Sequence, residues 1–444
     1  MKKAGAYFQE LTQIPRPSGH EEKVRNYLKQ WADEHTAEYR EDNAGNVLLR
    51  RGTPRVTLQA HMDMVAESVE PFDFLTSPLS TYEEDGWLYA RGTTLGGDDG
   101  AGIALALALL ERTDNLECLF TAEEETNMTG ALGLEENVLA GKILLNLDHE
   151  DVNTILIGCA GGMNTDAFFT PKREPAAGTF YKLSISGLLS GHSGLEIGLN
   201  RANAILLAAA YLQKIPDLKI ASFVAGTKPN VIPKEAEVIF SGELSSTDAL
   251  LETVKKEFPL ETTVSVTVEK TETPETVWPK EFSKTFIETL LAVPNGVFVQ
   301  NERGVETSSN LAIVTTENEK ILVATLQRSA TDIRPAVNKV TDAFLASGAS
   351  VISYGNYPGW RLNDDAELLK TAADVYENVF GHAPVIETTH GGVECGVFQE
   401  KYPGMQIISV GPTIENVHTV NERMNLQSLD DMEKYLEALL LRLN

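Results

Sequence analysis

Short apolar runs alternate along the chain with segments whose apolar residues recur at helical spacing. Residues 56–60, 118–121 and 143–146 are typical of buried strands. Residues 7–35 are typical of a helix interrupted at Pro15 and Pro17, and residues 98–110 follow a glycine-rich turn as a helix of alanine and leucine. This alternation predicts an α/β fold: a mainly parallel sheet with helices on both faces.

The pattern changes near residue 179. Residues 181–186 and 263–268 alternate as half-exposed strands do, with further strands at 236–240, 311–315 and 320–328 and helices at 203–213 and 282–291. After a turn-rich stretch at 354–359, a helix (365–380), a strand (406–410) and a helix (429–443) follow. We therefore expect a first domain of residues 1–178 and 357–444, with an α/β sandwich containing an antiparallel sheet inserted at 179–356.

Composition limits the partners. The 444 residues include 37 Lys and Arg against 64 Asp and Glu, a formal net charge of −27, which disfavours nucleic acid and anionic membranes. Cys118, Cys159 and Cys395 form no CxxC pair, so neither a zinc knuckle nor a disulfide framework is indicated. The N-terminal residues lack an apolar signal stretch, and the longest apolar run covers only residues 101–110. We expect a cytoplasmic protein.

Ionisable residues stand where predicted strands and tight turns end. His61 and Asp63 are two apart on a strand, so they face the same side, and a carboxylate there can hold an imidazole whose other nitrogen binds metal. Asp98 and Asp99 follow two glycines at a turn into a helix. Each motif has a plainer alternative: a surface His-Asp pair, or an aspartate that caps the helix.

Three more segments add candidate ligands. Glu123, Glu124 and Glu125 directly follow an apolar strand, where one carboxylate can bind metal while another acts as general base. The alternative is a solvated helix start. Asp148 ends a strand and His418 follows a late strand by a loop; alone, the first is typical of a cap and the second of an exposed side chain.

Metal binding is better supported when these candidates are taken together, because the ends of successive parallel strands converge on one edge of the sheet. Five residues would supply one imidazole and one terminal carboxylate to each of two cations, with a shared carboxylate between them. They are His61, Asp98, Glu125, Asp148 and His418. This donor set favours Zn²⁺, with Mn²⁺ or Co²⁺ as alternatives, in a hydrolytic centre that activates water.

Longer motifs resemble a known family almost from end to end of the chain. They lie at residues 14–22, 59–65, 90–96, 128–131, 158–162, 390–396 and 409–414. The chain resembles the aminoacyl-histidine dipeptidases, also called cytosolic non-specific dipeptidases, among the dinuclear-zinc exopeptidases. The resemblance implies a zinc-exopeptidase-like fold in which the inserted domain is a lid and a dimerisation domain.

The resemblance also implies roles. His61 and Asp148 would bind one zinc, Glu125 and His418 the other, and Asp98 would bridge them. The position of residues 128–131 sets the register across the three glutamates.

On that register, Glu124 aligns with the general base and Asp63 with the carboxylate that steadies the first metal-binding histidine. His192, in a Gly-His-Ser-Gly segment, would assist catalysis, and in related dimers it comes from the partner subunit. The substrate's carboxylate end and carbonyl would be held by Asn230, Arg328 and Gly392. An arginine suits that task because it grips a carboxylate with two hydrogen bonds.

The sequence thus predicts a metal-dependent dipeptidase, of Xaa-His or broad specificity, that acts on small peptides as a homodimer joined through the inserted domain. A tripeptidase or an N-acyl-amino-acid deacylase with the same site remains an alternative. A binding protein with a decayed site is disfavoured because both the ligand set and the base are intact.

Overall fold

The computed structural model describes residues 3–317, 319–362 and 366–444, which form two compact units. The first comprises the described residues of 1–158, 360–388 and 393–444, and the second those of 159–359 and 389–392. The second unit begins at Cys159 rather than at the predicted residue 179, because the strand Gly161–Phe169 pairs with Lys320–Ser329 and Ser350–Tyr357. Residues 389–392, predicted to lie in the first domain, also belong to the second unit.

A nine-stranded sheet forms the centre of the first unit. Its strands lie in the order Glu38–Glu41, Val47–Arg51, Leu116–Thr121, Val56–His61, Ile143–Asn146, Gln406–Ser409, Thr154–Cys159 and Trp360–Arg361, with Val385–Thr389 beside Thr154–Cys159. The four strands from Leu116–Thr121 to Gln406–Ser409 are parallel, whereas the pairings recorded on either side of them are antiparallel. The predicted α/β class is confirmed, with the parallel part confined to the middle of a mixed sheet.

Helices cover this sheet, since every residue of Val56–His61 and Leu116–Thr121 is buried. The helices are Ala4–Leu11, Glu22–His35, Gly97–Leu110, Glu124–Asn127, Thr129–Gly133, Glu367–Phe380, Cys395–Lys401 and Leu426–Leu443. Residue 365, at which the Glu367–Phe380 helix was predicted to begin, lies outside the described residues. A small antiparallel sheet completes the unit, in the order Ile414–Glu415, Arg423–Asn425, Trp87–Ala90 and Thr81–Glu84.

The second unit is a layer of helices packed on an antiparallel sheet. The sheet order is Ser265–Thr271, Phe180–Ser186, Ala236–Ser241, Lys219–Ala225, Gly304–Glu317, Lys320–Ser329, Gly161–Phe169 and Ser350–Tyr357, with Gly296–Asn301 beside Gly304–Glu317. Glu174–Pro175 and Thr276–Val277 form a separate pair. The helices are Ala204–Leu212, Asp248–Glu257, Lys280–Ala292 and Arg334–Ala346, with a 3₁₀ turn at Ile197–Leu199. In the described part of the chain, no helix has both the length and the apolar composition of a membrane span.

Candidate metal centre

The parallel strands of the first unit deliver the predicted residues to one edge of the sheet. His61 is the last residue of Val56–His61, and it pairs in register with Thr121, the last residue of the neighbouring strand. The three glutamates follow Thr121, and Asp148 lies two residues beyond the end of Ile143–Asn146 on the other side. Adjacent parallel strands that end together thus bring an imidazole and several carboxylates to the same place.

His61 lies at the centre of the first group of side chains. Its Nε2 is 2.9 Å from Oδ1 of Asp98 and 3.5 Å from Oδ1 of Asp148, and its Nδ1 is 3.3 Å from Oδ1 of Asp63. The His61 ring is buried, so its two nitrogens face carboxylates and not water. Asp63 therefore lies on the side of the ring opposite the candidate ligands, where a carboxylate can orient a metal-binding imidazole.

His418 organises the second group. Its Nε2 is 3.0 Å from Oδ2 of Asp98 and 3.0 Å from Oε2 of Glu125, while the ring itself is half exposed. The two oxygens of Asp98 therefore face two different histidines. This is the arrangement that a carboxylate shared between two cations requires.

The segment after the Leu116–Thr121 strand is fixed by Asp63. The Asp63 carboxylate accepts hydrogen bonds from the backbone N–H groups of Glu124 (3.0 Å) and Glu125 (3.2 Å). Glu123 adopts a left-handed backbone conformation, and its side chain accepts a hydrogen bond from Thr129. Glu123 is thus engaged by Thr129, whereas Glu124 and Glu125 have ligand atoms close to those of His61.

Ionisation of these side chains reflects their crowding. Burial and the charge of Asp98 raise the pKa of Asp148 to about 7, and burial raises the pKa of Glu124 well above its usual range. Burial alone would lower the pKa of His418, but hydrogen bonds with Asp98 and Glu125 raise it to about 11. Several buried carboxylates with two imidazoles form an electronegative cluster, which divalent cations would stabilise.

Three overlapping sets of side chains could hold a metal ion, with the ligand atoms of each set within 4.8 Å of one another. The sets are His61, Asp99 and Asp148; His61, Glu124 and Glu125; and Asp98, Glu125 and His418. Oε1 of Glu125 is buried and has no hydrogen-bond partner among the described residues, as suits an oxygen kept for a cation. Imidazole and carboxylate donors fit zinc, manganese or cobalt.

Asp99, whose role the sequence left open, is engaged by the main chain. Its carboxylate accepts hydrogen bonds from the backbone N–H of Gly102 (2.9 Å) and of His61 (3.2 Å). It therefore caps the helix that begins at the glycine turn and also holds the end of the His61 strand. Two buried residues near the same turn, Arg16 and Glu422, were missed, because single charged residues in a loop carry no pattern that distinguishes them from exposed ones.

The residues predicted to bind substrate are brought together within the second unit. The His192 segment pairs with the Asn230 segment through the Ser193 N–H and the Asn230 carbonyl (2.8 Å) and through a bridge between His192 and Val231. A Cβ added to Gly194 would lie 3.0 Å from Cα of Gly391, so these loops touch.

Arg328 is buried in the same unit, and its Nη1 donates a hydrogen bond to the Tyr357 hydroxyl (2.8 Å). The Tyr357 ring packs so closely on Gly162 and Gly392 that a Cβ on either glycine would lie within 2.6 Å of it. The two glycine motifs therefore make room for Tyr357. The role of Tyr357 was not predictable, because a tyrosine in a turn-rich stretch carries no distinguishing pattern.

Comparison with known proteins identifies the family of the chain. Residues 57–442 match the model of peptidase family M20/M25/M40. The chain is 34% identical to the cytosol non-specific dipeptidase of Escherichia coli (strain K12), over 98% of this chain and 96% of that protein.

Solved structures give the same result. The crystal structure of an aminoacylhistidine dipeptidase from Vibrio alginolyticus matches with a TM-score of 0.84 and 34% identity, covering 99% of this chain and 96% of that one. A tripeptidase from Staphylococcus aureus matches with a TM-score of 0.60 and 19% identity, over 99% and 98% of the two chains, and supports the fold alone. The resemblance inferred from the motifs is confirmed: the chain belongs to peptidase family M20/M25/M40.

Proposed function

We propose that the protein is a metallo-dipeptidase that uses two divalent cations, Zn²⁺ in the first place, to hydrolyse small peptides. His61 and Asp148 would hold one cation, Glu125 and His418 would hold the other, and Asp98 would serve both. The observation that carries this proposal is the Asp98 carboxylate, whose two oxygens lie 2.9 and 3.0 Å from Nε2 of the two histidines. The name of the 34% identical relative, a dipeptidase, supports the substrate class.

Bound cations would polarise the scissile carbonyl and acidify the attacking water. Glu124 is the general base, which takes a proton from that water and returns it to the leaving amine. The backbone N–H of Glu124 is fixed by Asp63, and this contact supports a defined position for the base. Asp63 also steadies His61, whose Nδ1 lies 3.3 Å from it.

The second unit supplies the contacts that select a dipeptide. Arg328, with Asn230, binds the free carboxylate of the substrate, Gly392 contacts its carbonyl, and His192 stabilises the developing oxyanion. The burial of Arg328, and the close packing of the segments that carry the other three residues, support a preformed recognition surface. The enzyme acts in the cytoplasm, as the word cytosol in the relative's name suggests. The formal net charge of −27 disfavours nucleic acid and anionic membranes as partners.

A substrate panel tests this function. Zinc-, manganese- and cobalt-loaded protein is assayed with dipeptides that include Xaa-His, matched dipeptide amides, tripeptides and N-acyl amino acids. We expect dipeptides to be hydrolysed with the highest kcat/KM and the amides to bind poorly, because Arg328 then has no carboxylate to pair with. Higher kcat/KM on tripeptides or on N-acyl amino acids would replace the dipeptidase with one of these two alternatives.

The protein works as a homodimer joined through the inserted domain, and His192 acts either at the site of the partner subunit or, by closure of the inserted domain, at the site of its own chain. The test mixes wild-type subunits with subunits that carry both Glu124→Gln and His192→Ala. If His192 crosses between subunits, both sites of the mixed dimer are damaged, one lacking the histidine and the other the base. Half of the wild-type activity per mixed dimer would instead mean that His192 acts within its own chain.

A further inference from the structure

The turn that carries Asp98 is held by a buried carboxylate from a distant part of the first unit. Oε2 of Glu422 accepts hydrogen bonds from the N–H groups of Leu95 (2.7 Å) and Gly96 (2.9 Å), and Oε1 accepts from Gly97 (2.7 Å) and Asp98 (3.3 Å). Only 3% of Glu422 is exposed. One carboxylate thus satisfies four consecutive backbone donors immediately before and at the shared ligand.

The same glutamate is tied to the second histidine. His418 and Glu422 lie in one loop, which connects the paired strands Ile414–Glu415 and Arg423–Asn425, and the Glu422 N–H donates to the carbonyl of Thr419 (3.1 Å). Asp98 and His418 come from segments 320 residues apart. Glu422 joins these two segments by contacts that involve neither ligand's side chain.

A buried cation holds the other side of the turn. Nη1 of Arg16 donates to the carbonyls of Met62 (3.0 Å) and Asp63 (2.8 Å), and Nη2 donates to the carbonyl of Gly96. A Cβ on Gly96 or Gly100 would lie 2.7 or 2.5 Å from Nη2 of Arg16, so both positions need glycine for this contact. Arg16 therefore joins the turn to the segment that follows His61.

We propose that Glu422 is a positioning residue of the metal centre: it fixes Asp98 against His418 and so sets the affinity for the cation held by Asp98, Glu125 and His418. Arg16 sets the same turn against His61. This inference rests on the two-cation centre proposed above. It goes beyond that proposal because it assigns part of the affinity for one cation to a residue that binds no cation.

Glu422→Gln is the direct perturbation. An amide has one oxygen, so its NH₂ group must face two of the four backbone donors, either those of Leu95 and Gly96 or those of Gly97 and Asp98. The turn must then move away from the 416–422 loop. Substitutions of residues that support metal ligands typically weaken metal binding by about tenfold to a hundredfold. We expect a change of that size for the cation held with His418 and a smaller loss for the other cation, because Asp98 is shared by both.

The experiment is calorimetric titration of metal-free protein with Zn²⁺ alone, repeated with Co²⁺ while its visible absorption is followed. Wild type should bind two cations. Glu422→Gln should bind the cation held with His418 about tenfold to a hundredfold more weakly, with an altered Co²⁺ spectrum for that site, and should lose less affinity for the other cation.

Glu117→Gln is the matched control, because Glu117 is also fully buried and accepts hydrogen bonds from the N–H groups of Ala140 (2.9 Å) and Gly141 (2.8 Å). It should lower stability and leave both affinities unchanged.

Gly97→Ala tests the same contact if Glu422→Gln does not fold. The added Cβ would lie 3.2 Å from Oε1 of Glu422 and 3.3 Å from Cγ2 of Ile414, so it separates the turn from an intact carboxylate. It should weaken binding of the cation held with His418 most, whereas Gly5→Ala, whose added Cβ has nothing within 4 Å, should leave both affinities unchanged.

If Glu422→Gln binds both cations with wild-type affinity, the role of Glu422 is refuted while the proposed function stands. The same holds for Gly97→Ala if that variant is used instead. A wild type that binds no cation would overturn the proposed function and this inference with it.

Discussion

Replacing Asp63 by asparagine removes one of the two carboxylate oxygens that hold residues 124–125 beside His61. Oδ1 of Asp63 accepts the N–H of Glu124 and lies 3.3 Å from Nδ1 of His61, whereas Oδ2 accepts the N–H of Glu125. Asp63 is completely buried, so no water replaces the lost acceptor. Asparagine keeps the shape but must turn an NH₂ group towards one of these donors.

The magnitude follows from these contacts. A buried N–H left without an acceptor costs about 1–3 kcal/mol, and the negative charge beside the imidazole is lost as well. Since about 1.4 kcal/mol corresponds to a factor of ten, we expect Asp63→Asn to bind cations about tenfold to a hundredfold more weakly. Turnover should fall even at saturating metal, because the backbone of the base is no longer fixed.

The assay is a Zn²⁺ titration of metal-free protein, followed by kcat at saturating Zn²⁺. Asp42→Asn is the control, because Asp42 accepts the N–H groups of Ala44 (2.9 Å) and Asn46 (3.0 Å) in a turn that holds none of the candidate ligands. Wild-type affinity together with wild-type kcat in Asp63→Asn would refute the role of this carboxylate.

Three further predictions concern the centre. Glu124→Gln should lower kcat by about a hundredfold to ten-thousandfold with normal metal content, whereas Glu125→Gln should lose one cation. If elemental analysis and kinetics show the two phenotypes exchanged, the roles of base and ligand are assigned one residue out of place. His418, with its pKa raised to about 11 in the metal-free protein, is protonated at neutral pH and must release a proton to bind metal. Affinity should therefore rise with pH throughout the range below about pH 11, with proton release at neutral pH seen by calorimetry in buffers of different ionisation enthalpy. His192→Ala should lower kcat by about a hundredfold to a thousandfold with little change in KM, and a change in KM alone would contradict its action on the oxyanion.

Much of the fold was predictable because its signals are local. The strand Ile143–Asn146 was predicted with its observed bounds, and the helices Ala204–Leu212 and Lys280–Ala292 within two residues. The strand Gly161–Phe169 was missed, because it begins with two glycines and its assignment depends on partners more than 150 residues away. The boundary between the units was misplaced for the same reason.

The polar residues behind the site were less predictable. Gln59, Thr121, Asn146 and Ser409 lie on four neighbouring strands and read as parts of apolar runs, yet they form a buried hydrogen-bonded row. Gln59 and Thr121 of this row both donate to Glu394 (2.7 Å each). Such contacts depend on how strands are ordered in the sheet, which periodicity does not encode. Ionisable residues at strand ends are the exception, since the carboxyl ends of parallel strands lie at the same edge of the sheet whatever the strand order.

Reconstitution of the metal-free protein tests the central claim most directly. Stripped protein, with its metal content measured, is titrated with Zn²⁺ while hydrolysis of a dipeptide is followed. We predict no hydrolysis without metal and maximal activity when two cations are bound per chain, because the proposed base, Glu124, would act on a water that the cations activate. Undiminished hydrolysis by protein with no measurable metal would contradict the account.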